Sequence, residues 1–363
     1  MVVSFVRWTV VFVFVAAAFA SERYELQGQW RFRESRSDSG SWFDPKLDDS
    51  NWNIVAKSAA DRIAGPAWYR LVFSAPSTTE HSARLILDPV FDDATVWLNG
   101  RELWNRERGG DAFETDIAEL LRPNQPNVLA VYLEHAQVKI HPRAHLLIGP
   151  RVFISNQRVL AVPGLKDTGA QVTASVWITN ASENTAIVEI EAKAAPDGGG
   201  STTGLTVSPG TTVAAELHWS IAAENVHLWD RQHPALYRLS TSLTAVSDSG
   251  DTHYRDSDEV AFGIRRIESR EGQIFVNGNP LTTSRLKAGE TTPESLASAD
   301  ANGLTLIEES GSGRPALRKM IQRNWNHPSI VGWSIQDGAD ADFVKALDNS
   351  RVVRIDAAAH DKK

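Results

Sequence analysis

The sequence predicts a multidomain, mostly β protein that ends in a smaller unit of alternating strands and helices. Short runs in which apolar and polar residues alternate recur from about residue 21 to about residue 268, and this period of two is typical of half-buried strands. Beyond residue 268, strand-like and helix-like segments take turns, which is typical of a parallel α/β unit. With 363 residues, the chain is long enough for two or three domains with separate cores.

Residues 1–20 differ from the rest of the chain. They carry one charge, at Arg7, followed by an apolar run to Ala18 and a small-x-small pattern that ends at Ala20. The apolar run is shorter than the roughly 20 residues that a membrane-spanning helix needs. We expect a cleaved signal peptide rather than an uncleaved anchor. The mature chain is therefore predicted to be exported, periplasmic or extracellular, without a membrane attachment after cleavage.

Residues 21–150 are predicted to form a jelly-roll sandwich. The runs "ATVWLNG" and "RELW" meet at Asn99-Gly100, a pair that favours a tight hairpin turn, and "NVLAVYLE" is a further alternating strand. Residues 151–268 predict an immunoglobulin-like sandwich through runs such as "QVTASVWITN" and "TAIVEIEAKA". After the second of these runs, the segment "APDGGGSTTG" is rich in turn-forming residues and is expected to be a loop.

Residues 269–363 contain the predicted α/β unit. A first helix is expected from the N-cap Thr292 and Pro293 to a C-terminal stop at Gly303. A buried strand in "LTLIEES", a helix in "RPALRKMIQRNW" and an apolar strand in "SIVGWSI" follow. The segments "DADFVKALD" and "VVRIDA" predict one more helix and one more strand.

Composition argues against several kinds of partner and site. The formal net charge is −8 and there is no basic block, which argues against nucleic acid as a partner. There is no cysteine, which excludes disulfides, cysteine-ligated zinc and thiol nucleophiles. The common nucleotide and hydrolase motifs are absent, and the histidines, including His141 and His145, show no metal-ligand spacing. We therefore predict no cofactor and no bound metal.

Three parts of the chain have a distinctive sequence: "GPAWYRLVF…ATVWLNGREL…FETDIAELLRPNQPNVLAVYL", "VHLWDRQHPALYRLSTSL…VAFGIRRIES…GQIFVNGNP" and "RNWNHPSIVGWSI". In this order, they resemble glycoside hydrolase family 2, the group of β-galactosidases, β-glucuronidases and β-mannosidases. The resemblance implies a jelly roll, an immunoglobulin-like domain and a catalytic (β/α)₈ barrel, and it implies hydrolysis of O-glycosyl bonds in carbohydrates. Because such a barrel takes roughly 250 residues, residues 269–363 are expected to be a truncated remnant of one.

The same resemblance locates the family's acid/base residue. The family continues its Trp-Ser strand with Gly-Asn-Glu, and this chain has Gln336, Asp337 and Gly338 at those positions. The family is retaining, and a retaining mechanism needs two carboxyl groups roughly 5–5.5 Å apart, one as acid/base and one as nucleophile. Gly338 supplies no carboxyl group, and the family's nucleophile strand has no counterpart in this sequence. We expect a glycosidase by descent that is catalytically inactive or impaired.

Other side chains are candidates for remaining chemistry or for sugar contact. Asp337, Glu308 and Glu309 end predicted strands of the α/β unit, where barrel enzymes carry their active sites, although such residues are also ordinary solvated strand ends and helix caps. A second group lies in the loop "WNRERGGDAF" of the first β unit, where an aromatic ring and planar polar groups could contact a sugar. Its members are Trp104, Asn105, Glu107 and Asp111, and the alternative is an ordinary surface loop.

Two further interpretations of the whole chain stay open. One is an exported β-sandwich protein that binds a carbohydrate or a protein partner. The other is a truncated gene product without an independent function. A barrel remnant also exposes the edges of its strands, so we expect that an oligomer or another partner covers it, that it is reorganised, or that it is unstable.

Overall fold

The computed structural model describes ten stretches of the chain: residues 21–34, 41–55, 64–76, 81–87, 94–106, 113–137, 144–165, 168–286, 292–309 and 313–355. The expected signal peptide, residues 1–20, lies outside the described residues. The described part is mostly β, with six sheets, and its three α-helices all lie beyond residue 292. None of these helices is long and apolar enough to cross a membrane.

The N-terminal β unit consists of two antiparallel sheets that enclose a core. One sheet has the order β1-β10-β5-β8 and the other has the order β3-β2-β4-β9-β6-β7. The strands are β1 (Glu22–Glu25), β2 (Arg31–Glu34), β3 (Asn53–Ile54), β4 (Ala64–Ser74), β5 (His81–Leu87), β6 (Ala94–Leu98), β7 (Arg101–Arg106), β8 (Phe113–Asp116), β9 (Pro126–Gln137) and β10 (Ala144–Pro150).

Alternation along the strands fills this core. In β6, Ala94, Val96 and Leu98 are buried, whereas the residues between them are half-exposed, as a strand with one covered face requires. The predicted hairpin turn is confirmed: Asn99 has φ 53° and Gly100 has φ 87° between β6 and β7. Both are left-handed conformations, which asparagine and glycine adopt most readily.

A layer of aromatic side chains covers the outer surface of the six-stranded sheet. Trp68 lies 5.0 Å from Trp97 and 6.1 Å from Trp42 between ring centroids. The segment 41–55 lies over this layer and is fixed by an ion pair from Arg70 Nε to Asp49 Oδ2 at 2.9 Å. Much of the tryptophan of this unit therefore builds a second, smaller core outside the main one.

The central β unit is also made of two antiparallel sheets around a core. One sheet has the order β11-β12-β15 and the other has the order β14-β13-β16-β17. The strands are β11 (Val152–Pro163), β12 (Ala170–Asn180), β13 (Ala186–Ala195), β14 (Gly200–Val207), β15 (Thr212–Ile221), β16 (Tyr237–Ser247) and β17 (His253–Phe262).

The expectation of a loop across "APDGGGSTTG" is wrong for its second half. Strand β14 begins at Gly200 and pairs with β13, with Gly200 opposite Lys193 and Gly204 opposite Glu189. A Cβ on Gly200 would lie 2.3 Å from the carbonyl oxygen of Ala192. Glycine there permits a close approach of two backbones within a ladder, and this is one of the uses of glycine inside strands.

The C-terminal α/β unit begins with a small antiparallel sheet, β18 (Ile267–Arg270), β19 (Gln273–Val276) and β20 (Asn279–Pro280). A parallel sheet follows with the strands in sequence order: β21 (Ser284–Leu286), β22 (Leu306–Glu309), β23 (Ile330–Ile335) and β24 (Val352–Ile355). The helices are α1 (Pro293–Ala301), α2 (Arg314–Asn324) and α3 (Ala341–Leu347). The predicted start of α1 is confirmed, since Thr292 and Ser295 form a reciprocal capping box.

The two faces of the parallel sheet have different covers. One face packs on the helices through side chains such as Trp333, Ile335 and Leu306. The other face packs Ile307 and Val352 against the small β18–β20 sheet. The small sheet therefore substitutes for a second helical layer over part of the parallel sheet.

A buried carboxylate joins the α/β unit to the central β unit. Asp348, directly after α3, accepts hydrogen bonds from Arg351 Nη1 at 2.6 Å and from Trp333 Nε1 at 3.0 Å. Arg158 of β11 reaches it across the junction, with Nη2 2.8 Å from Asp348 Oδ1. Asp348 is fully buried, so two guanidinium groups and an indole replace its water shell.

More hydrogen bonds cross the same junction. The indole Nε1 of Trp229 donates to the Asp300 carbonyl oxygen at 2.9 Å, and the Trp325 Nε1 donates to the Gln157 carbonyl oxygen at 3.0 Å. Asp300 also accepts from the Ser329 amide at 2.9 Å and lies 2.6 Å from His327 Nδ1. His327 thus contributes to the packing of this junction.

The Asp348→Ala variant is expected to be strongly destabilised. Removing one partner of a buried ion pair leaves the guanidinium groups of Arg351 and Arg158 without their counter-charge, at a cost of about 3–5 kcal/mol. Urea unfolding of the wild type and the variant measures the difference. Asp342→Ala is the matched control, because Asp342 is an exposed carboxylate on the preceding helix. Equal losses in both variants would contradict the role of Asp348.

The same carboxylate predicts a dependence of stability on pH. Burial alone would raise the pKa of Asp348, but the charge of Arg351, the hydrogen bond from Ser350 and the charge of Arg158 together outweigh it, and the pKa lies well below the ordinary value of 3.8. Because the folded-state pKa is the lower one, the contribution is complete above about pH 4 and is lost as the pH falls further. The free energy of unfolding, measured in urea at a series of pH values, should therefore fall more steeply with decreasing pH for the wild type than for Asp348→Asn. Parallel curves would refute this.

Candidate functional site

The candidate site lies where the four parallel strands end. Parallel strands bring their carboxyl ends to one edge of a sheet, which is where α/β proteins place their functional side chains. The register sets Glu309 of β22 beside Ser334 of β23, and Ser334 beside Arg354 of β24. We call these three residues the open-face row.

The open-face row lies on the side of the sheet that carries the small β18–β20 sheet. Side chains two apart on a strand share a face, and Glu309 and Arg354 follow the covered Ile307 and Val352 by two residues. The side chain of Glu309 is 31% exposed and forms an ion pair with Arg285 Nη1 at 3.7 Å. Glu309 is therefore a carboxylate that a solute can reach.

Glu308 points to the opposite side of the sheet. It is 1% exposed, and both of its carboxylate oxygens accept from the Asn324 side-chain amide of α2 at 2.9 Å. This places Glu308 between the sheet and the helix layer. Two sequence-adjacent carboxylates thus have different surroundings, and only Glu309 lies on the open face.

Asp337 and Gly338 follow the end of β23. Asp337 is exposed, and its Oδ1 accepts from the Ala339 amide at 2.9 Å, so it caps the short 3₁₀ turn Gly338–Asp340. Among the described residues, a Cβ on Gly338 would meet only side-chain atoms of Ile355, at 3.5 and 4.0 Å, and the φ of Gly338 lies outside the left-handed region. Neither packing nor backbone conformation requires glycine here.

The second predicted group lies largely outside the described residues. The backbones of Trp104 and Asn105 lie in β7 and pair with Val96 and Thr95 of β6, but the structure does not describe their side chains. Glu107 and Asp111 fall in the undescribed residues 107–112. Sugar contact by these four residues stays a prediction.

The described ranges hold no group of three or more histidine, aspartate or glutamate side chains that could bind a metal ion. The polar groups at the strand ends are carboxylates, guanidinium groups and one hydroxyl. The side chains of Glu309 and Arg354 can exchange hydrogen bonds with a polar solute and hold opposite charges, whereas Ser334 is buried.

The amino-acid sequence is similar to those of several glycosidases. It is 23% identical over 383 residues to a β-galactosidase of Thermoanaerobacter pseudethanolicus, covering 83% of this chain and 50% of the relative. It is also 23% identical over 433 residues to a β-glucuronidase of Felis catus, covering 89% of this chain and 64% of the relative. The chain thus spans about half the length of the first relative and less than two thirds of the length of the second.

Solved structures share the fold. A Bacteroides uniformis β-glucuronidase matches with a TM-score of 0.76 at 18% identity over 92% of this chain and 52% of that chain. A putative β-galactosidase from Bacteroides fragilis matches with a TM-score of 0.73 at 17% identity over 92% of this chain and 63% of that chain. At such identities, the likeness supports the shared fold alone.

A family model places the chain among these relatives. The model of "Glycosyl hydrolases family 2" matches residues 152–265, which are the strands of the central β unit. The central β unit of the chain thus matches glycosyl hydrolase family 2, and the matched relatives are β-galactosidases and β-glucuronidases. The family resemblance inferred from the sequence is therefore confirmed.

Sequence reasoning missed several neighbours of the candidate carboxylates. Asn324 was taken only as part of a helix, and Arg285 and Arg354 were not singled out. A parallel register would have suggested the open-face row, because it sets the ends of successive strands side by side. The partner of Glu308 lies 16 residues away on the helix layer, and no local pattern indicates it.

Replacing Glu308 and Glu309 by alanine is expected to give different losses of stability. Glu308→Ala leaves the buried Asn324 amide without its acceptors, at a cost of about 1–3 kcal/mol. Glu309→Ala removes a half-exposed ion pair, which contributes about 0–1 kcal/mol. Urea unfolding of both variants distinguishes the two positions. A larger loss for Glu309→Ala would contradict the assignment of their faces.

Proposed function

We propose that this chain is a carbohydrate-recognising member of glycosyl hydrolase family 2 whose glycosidase activity is absent or strongly impaired. The observation that carries the proposal is Gly338, which stands at the end of β23 where the family resemblance places the acid/base glutamate. A general acid contributes roughly 10²–10⁴-fold to the rate of such reactions. Glycine has no proton to give and no charge to hold.

The neighbouring carboxylates are engaged in other contacts. Asp337 caps the turn that begins at Gly338, and Glu308 is buried against Asn324. Glu309 is accessible but is paired with Arg285. A retaining pair would need two carboxyl groups roughly 5–5.5 Å apart on the same open surface. The described strand ends offer only one, Glu309, on the open face.

Carbohydrate as the ligand class is supported by the relatives. The matched proteins are named β-galactosidases and β-glucuronidases, which are glycosidases. With residues 1–20 acting as a signal peptide, the protein would meet its carbohydrate outside the cytoplasm. An oligomer or another partner that covers the α/β unit belongs to the same proposal.

A second candidate is binding without catalysis by the two β units. Together they hold 17 of the 24 strands of the described part, and each encloses its own core. This function would need no acid at position 338. It differs from the first in that carbohydrate or protein recognition would be the whole activity.

Assays with two kinds of substrate test the loss of the acid. A nitrophenolate leaves without protonation, whereas the sugar alcohol of a disaccharide needs a general acid. We expect no turnover of lactose, and either no turnover or only slow turnover of nitrophenyl β-galactoside and β-glucuronide. Product release is followed by absorbance for the nitrophenyl substrates and by chromatography for lactose. Lactose cleavage at an ordinary enzymatic rate would overturn the proposal.

Variants show whether any residual turnover belongs to these carboxylates. Glu309→Gln and Asp337→Asn keep the size of the side chain and remove its charge. Gly338→Glu is expected to fold with an unchanged melting temperature, because among the described residues the added Cβ meets only the flexible side chain of Ile355. Turnover of lactose that disappears in Asp337→Asn would show that the acid has moved by one position.

A further inference from the structure

A cleft of 420 Å³ lies between the N-terminal and the central β units, away from the strand ends of the α/β unit. Its walls come from the start of β5, the start of β7, the segment after β8 and the junction that contains Arg151. No residue beyond Ala181 lines it. The volume is within the range of small-molecule sites, roughly 300–1,000 Å³.

The walls of the cleft are fixed by hydrogen bonds. The Ala181 amide donates to the Arg151 carbonyl oxygen at 2.7 Å, and the Ile117 amide donates to the Ala83 carbonyl oxygen at 2.8 Å. The Ser82 hydroxyl donates to the Pro150 carbonyl oxygen at 3.0 Å. The two β units therefore hold the cleft in one shape, which lowers the ordering cost of binding.

Four charged groups along the cleft are available for a ligand. Within the described residues, the side chains of Arg101, Arg151, Glu102 and Glu119 form no hydrogen bond or ion pair, although both signs of charge line one cleft. Some arginines elsewhere in the described part, such as Arg70 and Arg238, are paired with carboxylates. The cleft thus combines unused guanidinium donors with unused carboxylate acceptors.

This combination selects a class of ligand. A polyanion would be repelled by Glu102 and Glu119, and a polycation by the two arginines. A neutral sugar has hydroxyl groups that both accept and donate, and an apolar C–H face that suits the half-buried Leu103 and Leu120 in the lining. We propose that this cleft binds a neutral carbohydrate unit. The proposal rests on the carbohydrate recognition proposed above and adds a site remote from the α/β unit.

Calorimetric titration of the mature full chain tests the cleft. The probes are β-1,4-linked tetrasaccharides of glucose, galactose, mannose and xylose, with a glucuronic-acid oligosaccharide as the charged comparison. We expect at least one neutral probe to bind, and Arg151→Ala and Glu119→Gln each to weaken it by roughly 10-fold or more, since each removes a charged hydrogen bond. Arg238→Ala is the matched control, because Arg238 pairs with Glu259 on the outside of the central unit.

The outcomes separate this site from the wider proposal. Neutral probes that bind equally to wild type and cleft variants would refute the cleft and leave carbohydrate recognition standing. Binding of the charged probe alone would overturn the ligand class, and no binding of any probe would refute both proposals. The melting temperatures of the variants should stay within about 3 °C of the wild type, which shows that lost binding is not lost folding.

Discussion

The buried carboxylate of Asp348 is the contact on which the arrangement of the α/β unit depends. It receives an arginine from its own unit, Arg351, and another from the central β unit, Arg158. Arg351 also donates to the carbonyl oxygens of Ile330 and His327, so the same cluster fixes the entry to β23. The strand that delivers the candidate site is therefore positioned from the junction between units, not from the site itself.

This arrangement separates what folds the unit from what could act in it. Trp333 points from β23 to Asp348 on the helix side, while Ser334, the next residue, lies in the open-face row. Glu308 and Glu309 divide in the same way. The side chains of a strand alternate between its two faces. One face can thus keep every contact that stabilises the fold while the open face and the terminal turn change.

Local signals predicted local structure well. The capping residues of α1 and the Asn99-Gly100 turn follow from conformational preferences of two or three adjacent residues. The strand at Gly200 was missed because glycine is needed there for the close approach of the neighbouring strand's backbone, which no local sequence pattern shows. The Asp348 cluster was missed for a related reason, since Arg158 lies 190 residues away. For the site, the position of Gly338 follows from the family resemblance, whereas the contrast between Glu308 and Glu309 needed the three-dimensional register.

The open surroundings of Gly338 have a consequence in genetic terms. Codons GGA and GGG for glycine become codons for glutamate by one base substitution in the second position. Among the described residues, only the Ile355 side chain lies near a Cβ at this position, so the described part of the fold places no barrier against that substitution. The carboxylate would then stay absent because selection favours its absence or does not act on it, and not because the described part of the fold requires glycine.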